Sequence, residues 1–263
     1  MAVQIHPTAL VDARAQIGLD VVIGAYSVIG PDVVIGDRTQ IGSHTLIEGR
    51  TTIGVDNQIG HHLVLGAAPQ DKKYAGEPTS LVIGDRNSIR EFCSFHRGTS
   101  QDGGVTRVGN DNWIMGYVHL AHDCQIHNHT ILASNVQLAG HVHVMDYAIV
   151  GGMSGTHQFV KIGAHAMVGG GAILHQDIPP FVMASGNPCK TFGINSEGLK
   201  RRGFTTEQIM AIKRAYKAIY RQELSIEAAA AKINEAAALD ADSAAYLHLM
   251  SAFITTSARG ITR

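Results

Sequence analysis

Every sixth residue from Ile5 onward is aliphatic through eleven steps: Ile5, Val11, Ile17, Ile23, Ile29, Ile35, Ile41, Ile47, Ile53, Ile59 and Leu65. The register lapses at Asp71 and Glu77 and returns at Ile83, Ile89 and Phe95. One extra residue enters near 101–107. A second block then runs Val108, Ile114, Leu120, Ile126, Leu132, Leu138, Val144, Val150, Thr156, Ile162, Val168 and Leu174. Glycine often follows the aliphatic, and a small or β-branched residue often stands four places on, as at Ala9, Ala15, Val21, Ser27, Val33 and Thr39.

A period of six matches neither the 3.6 of an α-helix nor the 2 of a half-buried strand. It predicts a coil with three short flat faces, each ending in a tight turn where Gly, Asn or Asp adopts positive φ. Three hexads make one turn of 18 residues, and neighbouring turns pair as parallel strands about 4.8 Å apart. Residues i and i+18 then lie side by side. The fold class is therefore mainly β, a parallel β-helix of hexapeptide repeats. Thr156 is the one non-aliphatic member of the second block, and its coil is expected to be distorted beside His157.

Residues 66–82 are polar and charged at grid positions and read as a loop thrown out from one corner, on a rigid scaffold where loops carry function. After Pro179-Pro180 the pattern becomes helical. Thr205–Arg221 carries a Thr-x-x-Gln capping pattern (Thr205, Gln208) and apolar residues at Ile209, Ile212, Ala215, Tyr216 and Ile219. Ser225–Leu239 and Ser243–Ala258 are alanine-rich and also helix-like. The expected organisation is a β-helix over 1–189 and a helical domain over 190–263 that caps the open end of the coil.

Charge adds one detail. The formal net charge is −1, which gives no global case for nucleic acid. Residues 190–263 nevertheless hold 11 Lys+Arg against 7 Asp+Glu, a net of +4, leaving −5 on 1–189; the basic tail suits a local anionic partner. Cys93, Cys124 and Cys189 form no CxxC pair, which fits a reducing, cytoplasmic compartment. The start, Met-Ala-Val-Gln-Ile-His-Pro, has no charged stretch leading into an apolar one, and no run of about 18 apolar residues occurs, so neither a secretory signal nor a membrane span is expected.

Of fifteen histidines, His6, His44, His61 and His62 read as solvent-facing. The chemically interesting group is His119, His122, Asp123, His141, His143 and His157. Counting by 18 puts Gly140 beside His122, His141 beside Asp123, His157 beside Ala139 and Gln158 beside Gly140. A base, a carboxylate and a backbone N–H without a side chain thus share one edge of the prism. A histidine held by a carboxylate serves as general base near neutral pH, and a glycine amide can meet an oxyanion. That combination suits acyl transfer to a hydroxyl without a covalent enzyme intermediate. Two other readings stay open on these residues alone. The histidines can be corner residues that bond across coils. They can also be a zinc site shared between subunits, as in a β-helical carbonic anhydrase. Cys124 falls at the small inward position and reads as a buried residue rather than a nucleophile.

Several motifs point to a family. They are Gln70-Asp71-Lys72-Lys73-Tyr74-Ala75-Gly76-Glu77-Pro78-Thr79, Ile89-Arg90-Glu91 with His96-Arg97-Gly98-Thr99, His119 to Cys124, Gly151-Gly152-Met153 with His157-Gln158-Phe159, and Asn195 to Gly203. Together with the grid they resemble the acyl-carrier-protein–UDP-N-acetylglucosamine O-acyltransferases, over the whole chain. The resemblance implies a left-handed β-helix, an exception to the right-handed crossover rule. It implies a homotrimer with sites between subunits, acyl carrier protein and UDP-N-acetylglucosamine as partners, and the first step of lipid A synthesis, with no cofactor or metal. Residue by residue, it makes His122 the base that takes the proton of the glucosamine 3-hydroxyl, Asp123 its supporting carboxylate and Gly140 the oxyanion amide. His119, His141, His157 and Gln158 match substrate contacts, and Asp71 and Lys73 the loop reaching the sugar nucleotide. Asn195, Glu197, Arg201 and Arg202 match the segment at the UDP portion, where arginine suits phosphate. Gly170 matches the position that limits acyl length, and glycine there implies a long, 3-hydroxymyristoyl-type chain.

Overall fold

A computed structural model describes residues 3–263. Pairs of residues centred on the grid aliphatics form short strands, which stack into three parallel sheets. The first face begins at Gln4–Ile5, the second at Leu10–Val11 and the third at Gln16–Ile17, and the chain visits them in rotation. The 18-residue register is explicit: His119 pairs with Gln137, Gln137 with Gly155, and Gly155 with Ile173. Across the loop the step becomes Ile59 to Ile89, and the single extra residue of the grid proves to be a seven-residue insertion, which makes the next step Ile89 to Ile114. Both interruptions therefore leave the prism and re-enter in register. Thr156 lies in register between Leu138 and Leu174, so the expected distortion is absent; its Oγ1 accepts a hydrogen bond from the Ala139 N–H at 3.2 Å.

Grid side chains from all three faces meet on the axis. Ile23, Ile47, Ile89, Leu120, Leu138 and Val168 are each at most 1% exposed. The small position is also inside, and its polar members bond across coils. Asn87 Nδ2 donates to Asn57 Oδ1, and Asn112 Nδ2 to Asn87 Oδ1, both at 3.0 Å. Burying these amides is tolerated because each finds a partner in the ladder.

The turns differ from the sequence expectation. The left-handed residue lies three places after the aliphatic and is mostly not glycine: Tyr26, Arg38, His44, Asp56, His62, Arg86, Phe92, Asp123 and His141 all have φ between 55° and 62°. Left-handed backbone disfavours residues with a Cβ by about 1–2 kcal/mol each. Stacking offsets this. On the first edge, between the first and second faces, the rings of Tyr26, His44, His62, Phe92 and Tyr117 pile at 4.8–5.2 Å. On the third edge, between the third and first faces, Arg38 pairs with Asp56 and Arg86 with Asp111, and higher up His129, Tyr147, His165 and Phe181 stack. Glycine after the aliphatic has a different cause: a Cβ on Gly36 would stand 2.6 Å from the Gly54 carbonyl carbon of the next coil.

The last parallel strand, Val182–Ser185, turns back as an antiparallel hairpin with Lys190–Ile194. Four helices follow: α1 (Ser196–Arg201), α2 (Thr206–Tyr220), α3 (Ile226–Leu239) and α4 (Ala244–Thr256). The Thr205/Gln208 capping box closes the start of α2 in both directions. Helix α1 is too short to show periodicity; Asn195 caps it through the Gly198 N–H. Phe204 and Tyr246 pack against Phe181, and Thr262 N–H donates to the Asp177 carbonyl at 2.8 Å, so the helical segment covers the final coil. Among the described residues no helix is long and apolar enough to cross a membrane.

Candidate functional site

The second edge, between the second and third faces, carries two adjacent columns. His122, Gly140 and Gln158 fill one, and Asp123, His141 and Phe159 the left-handed other, with His141 N–H donating to the His122 carbonyl at 3.0 Å. The count by 18 thus places the cluster as expected.

Asp123 is 1% exposed and His122 6%. A buried carboxylate must have its oxygens satisfied. Thr99 does most of this, its N–H lying 2.9 Å from Oδ1 and its Oγ1 donating to Oδ2 at 2.6 Å. Oδ2 also lies 2.9 Å from His122 Nδ1. Since a carboxylate only accepts, the proton of neutral His122 sits on Nδ1 and the Nε2 lone pair is left for chemistry. Gly140 packs directly on this ring: a Cβ there would stand 2.6 Å from His122 Cε1 and 2.8 Å from Nε2.

Among the described residues the Gly140 N–H has no hydrogen bond, and neither have those of His122 and Gln158 in the same column; the third edge is different. At the equivalent position the N–H of Leu19, Val55, Asp85, Asn110 and Asn128 donates to a side chain of the next coil, namely Asp37, Asp85, Asn110, Asn128 and Asp146. Above Gly140 stands Gln158, which makes no such bond.

The 66–82 segment leans over this edge. Arg97 holds it by donating to the Gly66 carbonyl and to Tyr74 Oη, and His96 Nδ1 lies 2.7 Å from the Ala68 carbonyl oxygen. The result is a cleft of about 710 Å³ in which Asp71, Lys73, His122, His141 and Gln158 converge, joined by Gln70, Lys72, Gln101, Asp102 and Phe159. A shallower apolar groove of about 400 Å³ crosses the second face, with His119 and His157 on its walls. Ser94 Oγ lies 2.8 Å from His119 Nδ1. Burial, with His96 adding to it, pushes the His119 imidazole down to about 4, so it is neutral at ordinary pH.

Other expected residues lie apart from His122 within one chain. Gly170 is on the first edge, where a Cβ would be 3.2 Å from the Gly152 carbonyl oxygen. Asn195, Glu197, Arg201 and Arg202 belong to the third edge or to α1. Asn195 is 3% exposed, and besides capping α1 it donates to the His165 carbonyl. Glu197 pairs with Lys200 at 2.8 Å. Arg202 donates to the Tyr147 carbonyl and covers that ring. Arg201 is exposed. Cys124 is fully buried, and burial pushes its thiol up to about 12, which agrees with its reading as an inert core residue.

The counting by 18 overlooked Thr99, Gln101, Asp102 and Phe159. Phe159 was available by the same arithmetic, one coil above His141. The other three sit in the inserted segment, where the grid gives no position.

The His122, Asp123 and His141 donors lie within 4.8 Å of one another, a geometry that metal sites also use. Here Asp123 is already taken up by Thr99 and His122, and the zinc-hydratase reading finds no support in the relatives.

Six-residue repeats with a histidine–carboxylate pair at a corner define a hexapeptide-repeat transferase. The model of the bacterial transferase hexapeptide matches residues 14–49 and 106–140, and that of UDP-N-acetylglucosamine O-acyltransferase, domain 2, matches 177–262. An acyl-[acyl-carrier-protein]–UDP-N-acetylglucosamine O-acyltransferase of Janthinobacterium sp. (strain Marseille) is 61% identical over 259 residues, 98% of this chain and 99% of that protein. The UDP-N-acetylglucosamine acyltransferase of Francisella novicida superposes with a TM-score of 0.95 at 42% identity, covering 99% of this chain and 94% of that one. LpxA of Acinetobacter baumannii gives 0.94 at 45%, covering 98% and 99%. The chain belongs to the acyl-[acyl-carrier-protein]–UDP-N-acetylglucosamine O-acyltransferase family. Its coil is the left-handed β-helix that the resemblance implies.

Proposed function

We propose that this chain transfers a 3-hydroxyacyl group from acyl carrier protein to the 3-hydroxyl of UDP-N-acetylglucosamine, the opening step of lipid A synthesis. One observation carries the reading: His122, which lines the cleft with its Nδ1 proton committed to Asp123, packs its ring against Gly140, whose N–H is unbonded among the described residues. His122 Nε2 takes the proton as the sugar oxygen attacks the thioester carbonyl. The Gly140 amide meets the charge that develops on the carbonyl oxygen. The tetrahedral intermediate then collapses, the C–S bond breaks, and the imidazolium returns its proton to the leaving thiolate. Asp71 and Lys73 reach the sugar nucleotide from the loop, while His141 and Gln158 line the same cleft. His119 and His157 flank the groove that takes the acyl chain.

The working unit we propose is a C₃ homotrimer. Support comes from the three edges: His122, Gly170 and the Arg201-Arg202 segment lie on different edges of one prism, and packing prisms side by side brings unlike edges together around a concave site. The three free thiols suit the reducing cytoplasm. The test is incubation with UDP-N-acetylglucosamine and a series of 3-hydroxyacyl carrier proteins, with products identified by mass. An O-acylated sugar nucleotide is expected; hydrolysed thioester alone would overturn the reading.

A further inference from the structure

Phe95 and Val108 sit on successive faces, which one hexad would join, yet they stand thirteen residues apart, an insertion of seven residues. The surplus is spent in the turn 99–104, which closes on itself through Asp102 N–H to the Thr99 carbonyl and Gly104 N–H to the Asp102 carbonyl. Gly103 and Gly104 supply the positive φ values, 65° and 72°, that so tight a return needs. This turn lies level with His122. Its first residue, Thr99, clamps Asp123; its fourth, Asp102, reaches the coil above and places Oδ2 at 2.7 Å from His141 Nδ1.

His141 is thereby confined on three sides. Phe159 stacks on its ring at 4.3 Å with the planes 6° apart, and His122 meets it edge-on at 5.0 Å. The other carboxylate in reach, Asp123, is 3.8 Å from the same nitrogen and is already satisfied. Asp102 is therefore the partner that decides which ring nitrogen of His141 carries the proton. A neutral imidazole has one N–H and one lone pair, and a carboxylate accepts only. Packing against Phe159 resists a ring flip that would exchange the two nitrogens.

We propose that Asp102 is a positioning residue for the acceptor sugar. It keeps the His141 proton on Nδ1, so that Nε2 faces substrate as a hydrogen-bond acceptor for a sugar hydroxyl. This rests on reading the cleft as the sugar-nucleotide site. The grid insertion then has a double use: one short turn orients the base through Thr99 and Asp123, and the sugar contact through Asp102. Without the carboxylate, His141 populates the other tautomer, which offers a donor where an acceptor is needed. A ground-state contact kept through the reaction appears in KM more than in kcat.

The experiment uses the full chain labelled with ¹⁵N-histidine, the His141 signals being assigned with His141→Gln. The wild type is expected to show Nδ1 protonated, and Asp102→Ala to shift the proton toward Nε2. In steady-state assays Asp102→Ala should raise KM for UDP-N-acetylglucosamine about tenfold, the effect of one lost hydrogen bond, with kcat changed less than about threefold. Asp102→Glu should restore most of the affinity. In a His141→Gln background the same Asp102→Ala change should add less than about twofold. An Nδ1 proton that persists in Asp102→Ala overturns the proposal, as does an equal rise in KM in both backgrounds. A wild-type chain that transfers no acyl group would instead defeat the proposed function, and the labelled spectra would still decide whether Asp102 sets the tautomer.

Discussion

Gly140 and His122 are in van der Waals conflict with any larger residue: the space a Cβ would take at 140 is held by the imidazole, 2.6 Å away at Cε1. Gly140→Ala therefore does two things, displacing the base and crowding the amide that faces the oxyanion. We expect kcat to fall roughly 10²–10³-fold, the scale for loss of an oxyanion donor. Far-ultraviolet circular dichroism should be unchanged, because the edge lies outside the aliphatic stack.

His122→Ala removes the base itself. Turnover should fall about 10²–10⁴-fold. Binding of the sugar nucleotide, measured by calorimetry, should weaken far less, since the proton moves only in the transition state. If His141→Ala were dead and His122→Ala active, the base would belong one coil higher.

Gly170 faces the Gly152 carbonyl oxygen at a distance that leaves little space for a Cβ, 3.2 Å. Gly170→Met should force a side chain into the space beyond and shift donor preference toward shorter acyl chains. Competition between carrier proteins charged with different chains reads this directly; an unaltered ranking would remove Gly170 from the acyl groove.

Acid should weaken the fold through the third edge. Burial, helped by Arg202, pushes His165 down to about 4, and its Nδ1 is buried without a partner. The unfolded chain holds a proton on this residue below about 6.5. Between those values it therefore binds more protons than the folded chain, and stability falls as pH drops through the window. His119 adds in the same sense. His165→Phe keeps the stack of Tyr147 and Phe181 and removes the titration, so its urea midpoint should drop less between pH 7 and pH 4.5 than that of the wild type.

The trimer is checked by sedimentation. Wild-type chain should run at three times the mass of 28.1 kDa, and an active species of that single mass would defeat the shared site.

The coil was legible because its signal is arithmetic: an aliphatic at fixed spacing can point only to the axis, and the count of 18 then located His122 against Gly140 and Asp123 against His141. The turn chemistry was misread, since single-residue preference disfavours Tyr26 or Phe92 at positive φ. What stabilises them is the ring one coil away, which local rules do not see. Asp102 and Thr99 were hidden for a related reason: they sit where the grid lapses. Likewise Asn195 could be named but not placed, because α1 is a single capped turn tied to His165 by a contact distant in sequence.

The backbone of one coil is nearly a copy of the next, so the second edge offers the same seat again every 18 residues. Nothing in the prism itself marks the level of His122 as the place for chemistry. The two excursions do, at 66–82 and at 99–104, for both lean on that stretch of the edge. Reactivity on such a scaffold is a matter of address. A histidine–aspartate pair moved several coils along the axis would find equivalent neighbours in the core, yet arrive where neither excursion reaches it.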